Sequence, residues 1–143
     1  PQELVAASRA YLRREALWRA EADLLAEIAQ REERFPHTYD DPASLAFYIL
    51  ANGDVFSNIG TWEPWWRLGS LAQDTPAALI ARYEADGCPG LRAIYTLPAR
   101  DLARDYGDPA SQRIYSSADD LLALYLARRL ESDWSQRNPS FLT

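Results

Sequence analysis

The tightest constraint on the fold lies near the C-terminal end of the chain. Ser117-Ala118-Asp119-Asp120 has the spacing of a helix-capping box, and Leu122, Leu126, Leu130 and Trp134 then recur every four residues. Leu121 and Tyr125 widen that stripe, so residues 117 to 134 are predicted to form an amphipathic helix with one apolar face to bury. Such a face needs a partner. Residues 2 to 34 offer one, because Leu4, Tyr11, Trp18 and Leu25 recur every seven residues, with Val5, Leu12, Leu17, Leu24 and Ile28 alongside. The other side of this segment balances arginine and glutamate, including Glu15 and Arg19 at i,i+4 spacing, and Phe35-Pro36 ends it. The expectation is a long helix at each end of the chain, packed lengthwise.

The middle of the chain is punctuated by helix starts and stops. Asp41-Pro42 reads as an N-cap with proline at the first helical position, and Asn52-Gly53 reads as the matching stop. The helix between them, through Leu45, Ala46, Phe47, Tyr48, Ile49 and Leu50, is apolar on nearly all sides and is expected to be the most buried element. A short helix is predicted after Thr61, closing near Gly69. Another starts at Thr75-Pro76, with Leu79, Ile80 and Tyr83 on its buried side, and ends at Gly87. A further one runs from about Leu97 to Tyr106 with Gly107 as its stop, and Asp108-Pro109 makes a turn.

Leu91 to Thr96 and Gln112 to Ser116 each contain an Ile-Tyr pair that suits a pleat, which leaves room for one two-stranded ribbon between them. The predicted class is therefore predominantly α: a single compact helical domain with long N- and C-terminal helices, that one short β ribbon, and a frayed tail from Ser135. At 143 residues, with 48% apolar and 25% charged side chains, the chain is long enough for one domain with its own core.

Absences narrow the chemistry further. All 15 basic residues are arginine, so no lysine is present to form a Schiff base or reach a phosphate from a P-loop. Methionine is missing, and His37 and Cys88 are the only residues of their kinds. One histidine and one cysteine cannot build a His/Cys zinc site. Cys88 sits in the turn-like run Asp86-Gly87-Cys88-Pro89-Gly90, which lacks the following basic residue of a phosphate loop, and it reads as a half-buried thiol. A lone cysteine forms no internal disulfide and fits a reducing, cytoplasmic setting. No apolar run approaches the roughly 18 residues of a membrane span.

The segment from His37 to Trp66 stands apart. It holds no basic residue, four acids (Asp40, Asp41, Asp54 and Glu63) and three of the five tryptophans. Read as a helix, Trp62, Trp65 and Trp66 share a face by i,i+3 and i,i+4 spacing, while Glu63 and Arg67 pair on another. The tryptophans can plug the core, or one or two of them can stay exposed as anchors for a partner or a cationic ligand. His37, Asp40 and Asp41, with Asp54, have the residue types of a nitrogen/oxygen metal site. Asp41 is already explained as a helix cap, however, and no metal or cofactor is expected.

Arg13-Arg14 and Arg128-Arg129 sit among Glu15, Glu131 and Asp133, so intramolecular ion pairs are their expected use. No serine, threonine or cysteine nucleophile lies in a recognisable frame, and the chain is expected to be non-catalytic.

Three functional classes follow. The favoured one is a protein-interaction module of inhibitor, immunity or adaptor type. It would bind a partner with a basic patch through the acidic, tryptophan-rich surface around residues 40 to 67, carried by Asp40, Asp41, Asp54, Trp62, Glu63, Trp65 and Trp66. The alternative is a small-molecule-binding protein or enzyme with an aromatic pocket lined by Trp62, Trp66, Tyr39 and Tyr48. A nucleic-acid regulator is disfavoured by the net charge of -6 and by the lack of a helix-turn-helix pattern. The chain is expected to act as a monomer, or as a homodimer joined through the Leu4 to Tyr11 end.

Overall fold

A computed structural model describes residues 17–31, 47–57 and 62–138 of the chain. Of the described residues, 56% are helical and 16% lie in strands, arranged in two antiparallel sheets of two and three strands. The molecule is mixed α and β, which corrects the expectation of a predominantly α domain. The chain divides into two compact units, residues 1–33 with 98–125 and residues 34–97 with 126–143.

In the first unit the described part of the expected N-terminal helix, residues 17–31, is not helical throughout; residues 2–16 and 32–34 of that expectation lie outside the described residues. Arg19–Ala20 forms a short strand, β1, and only then does helix α1 run over Glu21–Ala29. Ala20 is extended, with φ -62° and ψ 147°, because β1 is held by tertiary pairing: Arg19 lies opposite Tyr115 and Ala20 opposite Ile114. The Glu21 N–H continues the ladder to the Arg113 carbonyl at 3.1 Å. A helical pattern in the sequence thus gives way to a non-local ribbon, whose second strand falls inside the segment proposed for it while the first does not.

Helix α4 (Ala99–Tyr106) follows the sequence reading and packs against α1, with Leu102 buried on α4 and Leu24 and Ile28 buried on α1. The strand Ile114–Tyr115, β5, then leads into helix α5 (Ala118–Arg137), whose first eight residues belong to this unit. Ser117 caps it as predicted, accepting from the Asp120 N–H at 3.1 Å. Arg31 ties this start to α1 through Asp119 at 2.7 Å and Glu27 at 2.6 Å.

The second unit holds the three-stranded sheet, in the order β2 (Phe47–Ile49), β3 (Asp54–Ser57), β4 (Arg67–Ser70). In place of the buried helix expected through residues 45 to 50, Phe47–Ile49 form a strand that is the edge of the sheet among the described residues, with Tyr48 and Ile49 exposed, and residues 41–46 lie outside the described residues. Asn52-Gly53 closes a tight turn rather than ending a helix. Gly53 takes φ +85°, and the strands meet through the Leu50 N–H on the Asp54 carbonyl at 2.9 Å. The helix expected after Thr61 shrinks to the single 3-10 turn Pro64–Trp66, after which Arg67–Ser70 is claimed by pairing with β3.

Helices α2 (Pro76–Glu84) and α3 (Pro89–Thr96) cover one face of the sheet. Thr75 caps α2 at the Ala78 N–H, 3.2 Å away, and proline takes the first helical position. Segment 91 to 96 is therefore helix, not strand, because Pro89 starts a helix immediately after the Gly87-Cys88 run. The core contains Val55, Leu68, Leu79, Cys88 and Leu91. Cys88 is fully buried rather than half-buried, and burial raises its thiol pKa against weaker opposing bonds from the Leu91 and Gly90 N–H groups.

Among the described residues no helix is long and apolar enough to cross a membrane.

Candidate functional site

The two faces of the sheet differ. Val55 and Leu68 point into the core, with Phe47 packed against them. Alternation then sends Tyr48, Phe56 and Arg67 to the other side, and the register aligns them as one rung: Tyr48 opposite Phe56, and Phe56 opposite Arg67. A bulge between Val55 and Phe56 accommodates the extra residue on the way.

Trp62 lies across this rung. Its ring stands edge-on to Tyr48, with centroids 5.0 Å apart at 83°, and to Phe56, at 5.8 Å and 82°. Both contacts have the geometry in which a ring edge meets a π face. Phe56 is buried, yet Trp62 remains 54% exposed and Tyr48 46% exposed. Ile49, next along the edge strand, is 59% exposed. The result is a fixed aromatic cluster open to solvent.

Beside it, Asp54 is held by Arg67, with Nε at 2.8 Å and Nη2 at 2.7 Å from one carboxylate oxygen. The Asn52 amide donates to the other oxygen at 2.8 Å. The Arg67 guanidinium keeps the Asp54 carboxyl below its ordinary value, against a smaller upward push from burial. Arg67 is therefore engaged with Asp54, where the helical reading paired it with Glu63.

The tryptophans separate. Trp66 is 7% exposed and presses on α3: a Cβ added at Gly90 would lie 2.2 Å from the Trp66 ring. Trp65 is half-buried, its ring edge-on to Trp134 at 6.4 Å and 61°. Because Pro64–Trp66 is one 3-10 turn, the i,i+3 and i,i+4 face expected of a helix never forms. Of the proposed site residues, Trp62 packs on Tyr48 and Phe56, Asp54 bonds Arg67 of the same rung, and Trp66 joins the core. Asp40 and Asp41, with His37 and Tyr39, lie outside the described residues. Tyr48 entered the sequence reading as part of a buried helix and as a pocket wall, and Phe56 not at all. The signal that marks both is Asn52-Gly53 between two aromatic and aliphatic runs, a hairpin pattern.

Of the arginine pairs, Arg129 bonds Asp133 at 3.0 Å and i,i+4 spacing, while Arg13 and Arg14 lie outside the described residues. Comparison with known proteins found no matching family model, no similar curated protein and no similar solved structure.

Proposed function

We propose that this chain is a non-catalytic binding module that recognises a protein partner through the outer face of its three-stranded sheet. The observation that carries this reading is the Tyr48–Trp62–Phe56 cluster, in which two large aromatic side chains are ordered by edge contacts yet remain about half exposed. Rings already held in place lose little conformational freedom on binding, and tryptophan and tyrosine are the residues most enriched at interface hot spots. Tyr48 also lies on a strand that is the sheet's edge among the described residues, a place where an added strand can pair.

The partner carries a basic patch. The chain's net charge of -6 speeds the approach of such a partner, whereas Asp54 itself is neutralised by Arg67 and adds little. Affinity then rests on the aromatic rings and specificity on the rim.

The test is capture of partners from host lysate by wild-type protein and by Trp62→Ala, with both chains first checked for folding by circular dichroism. One basic protein retained by the wild type and released by the folded variant is the expected outcome. Equal retention by both would sink the reading.

A further inference from the structure

A second site lies in the same unit and is independent of the sheet face. Pro89, Arg92, Ala93 and Thr96 on α3 face Leu130, Asp133, Trp134 and Arg137 on α5 across a cleft of about 220 Å³. Each set is spaced i, i+3, i+4, i+7, so each is one continuous helix face. Leu97 and Asn138 complete the lining.

The charge of this cleft runs against that of the chain. Its one lining carboxylate, Asp133, is bonded to Arg129 at 3.0 Å. Arg92 and Arg137 have no carboxylate partner among the described residues. The Asn138 amide N–H is turned away to the Trp134 carbonyl at 3.1 Å. Two guanidinium groups, ten potential N–H donors between them, thus border a floor of Ala93, Leu97 and Leu130. Trp134 adds an unspent donor to one wall: its Nε1–H is buried with no acceptor, a group that ordinarily finds one. The N–H sits inside the wall, so reaching it takes a turn of the ring, and the arginines make the primary contacts.

We infer that this cleft binds a small organic acid, its carboxylate held by Arg92 and Arg137 and its apolar body laid on Ala93, Leu97, Leu130 and the Trp134 ring. The planar guanidinium fork matches a carboxylate in two-point geometry. The apolar floor favours an acid with a hydrocarbon body over a bare inorganic anion. The volume, roughly seven water molecules' worth, suits an acid smaller than a drug-sized ligand.

The test uses phenylacetate as probe, phenylacetamide as its uncharged counterpart and inorganic phosphate as the bare anion, each titrated by calorimetry into the full chain. Saturable binding of phenylacetate is expected, with Arg92→Gln and Arg137→Gln each weakening it about tenfold. Both arginines are exposed, so the variants should keep their fold, checked by circular dichroism. Phenylacetate should also shift the indole N–H resonance that is missing from Trp134→Phe. No saturation by about 10 mM, equal binding of the amide, unchanged affinity in both variants, or phosphate binding as tight as phenylacetate would each overturn the inference. So would binding that leaves the Trp134 resonance unmoved.

Discussion

The Tyr125 hydroxyl donates to the Glu21 carboxylate, joining residues 104 positions apart at the heart of the first unit. The same oxygen accepts the Asp108 N–H at 3.2 Å, so one buried acid at the start of α1 anchors both α5 and the turn before β5. Stacking of Tyr106 on Tyr125, with centroids 6.3 Å apart, holds the phenol in place.

Tyr125→Phe removes that donor and leaves the buried carboxylate one bond short. A loss of about 1–3 kcal/mol is expected, read from urea denaturation. Burial pushes the Glu21 carboxyl up, but bonds from Tyr125, Ser111 and Asp108, with the Arg113 charge, outweigh it and leave the pKa below 4.5. A folded-state pKa lowered in this way stabilises the protein above the unfolded value of 4.5 and loses that contribution as pH falls through the folded value. Glu21→Gln should therefore flatten the fall in stability below pH 4.5, and an unchanged acid limb would show that other carboxyls govern it.

Gly90→Ala tests the approach of α3 to the tryptophan turn. Alanine favours a helix by up to about 1 kcal/mol over glycine. Here, however, its Cβ would sit 2.2 Å from the ring of Trp66, which is only 7% exposed. The overlap should win, lowering stability by about 1–3 kcal/mol, with a changed near-ultraviolet tryptophan spectrum. A stabilised variant would mean that the ring yields.

Trp62 and Trp66 should respond very differently to truncation. Trp66→Ala empties part of the core and should cost about 3–5 kcal/mol. Trp62→Ala removes two edge contacts at an exposed position and should cost about 1 kcal/mol. Denaturant midpoints measure both. Iodide should quench Trp62 in the wild type, so replacing it by phenylalanine should lower the quenchable share of the emission.

Cys88 should resist thiol reagents in the folded protein. It is buried in the core and its pKa is raised, so little thiolate is present and none is accessible. Labelling at pH 8 should be about a hundredfold slower than in denaturant, because it must await local opening. Fast stoichiometric labelling of native protein would contradict the packing of α3 on the sheet.

The aromatic site was only partly legible in the sequence. Asp54 and Trp62 stand out by composition, but Asn52-Gly53 satisfies two rules at once, as the end of a helix and as the centre of a hairpin. An apolar run as short as Phe47 to Leu50 has no period long enough to choose between them. Likewise Trp62-Glu63-Pro64-Trp65-Trp66 fits a helical face on spacing alone, and only the 3-10 turn and the Gly90 approach send Trp66 inward and leave Trp62 outside.

What the sequence determined by itself are the elements whose signals are local. Thr75-Pro76 starts α2, the stretch before Gly107 forms α4, and Ser117 with the leucine stripe forms α5, because caps and i,i+4 apolar faces act between residues a few positions apart. What the tertiary structure decided are β1 and β4, both of which lie where the sequence reads as helix. Arg19–Ala20 is extended because Ile114–Tyr115 pairs with it, and Arg67–Ser70 because Asp54–Ser57 does. Those hydrogen bonds join segments far apart in the chain, and their energy overrides a weak local preference for helix that no single segment can outvote.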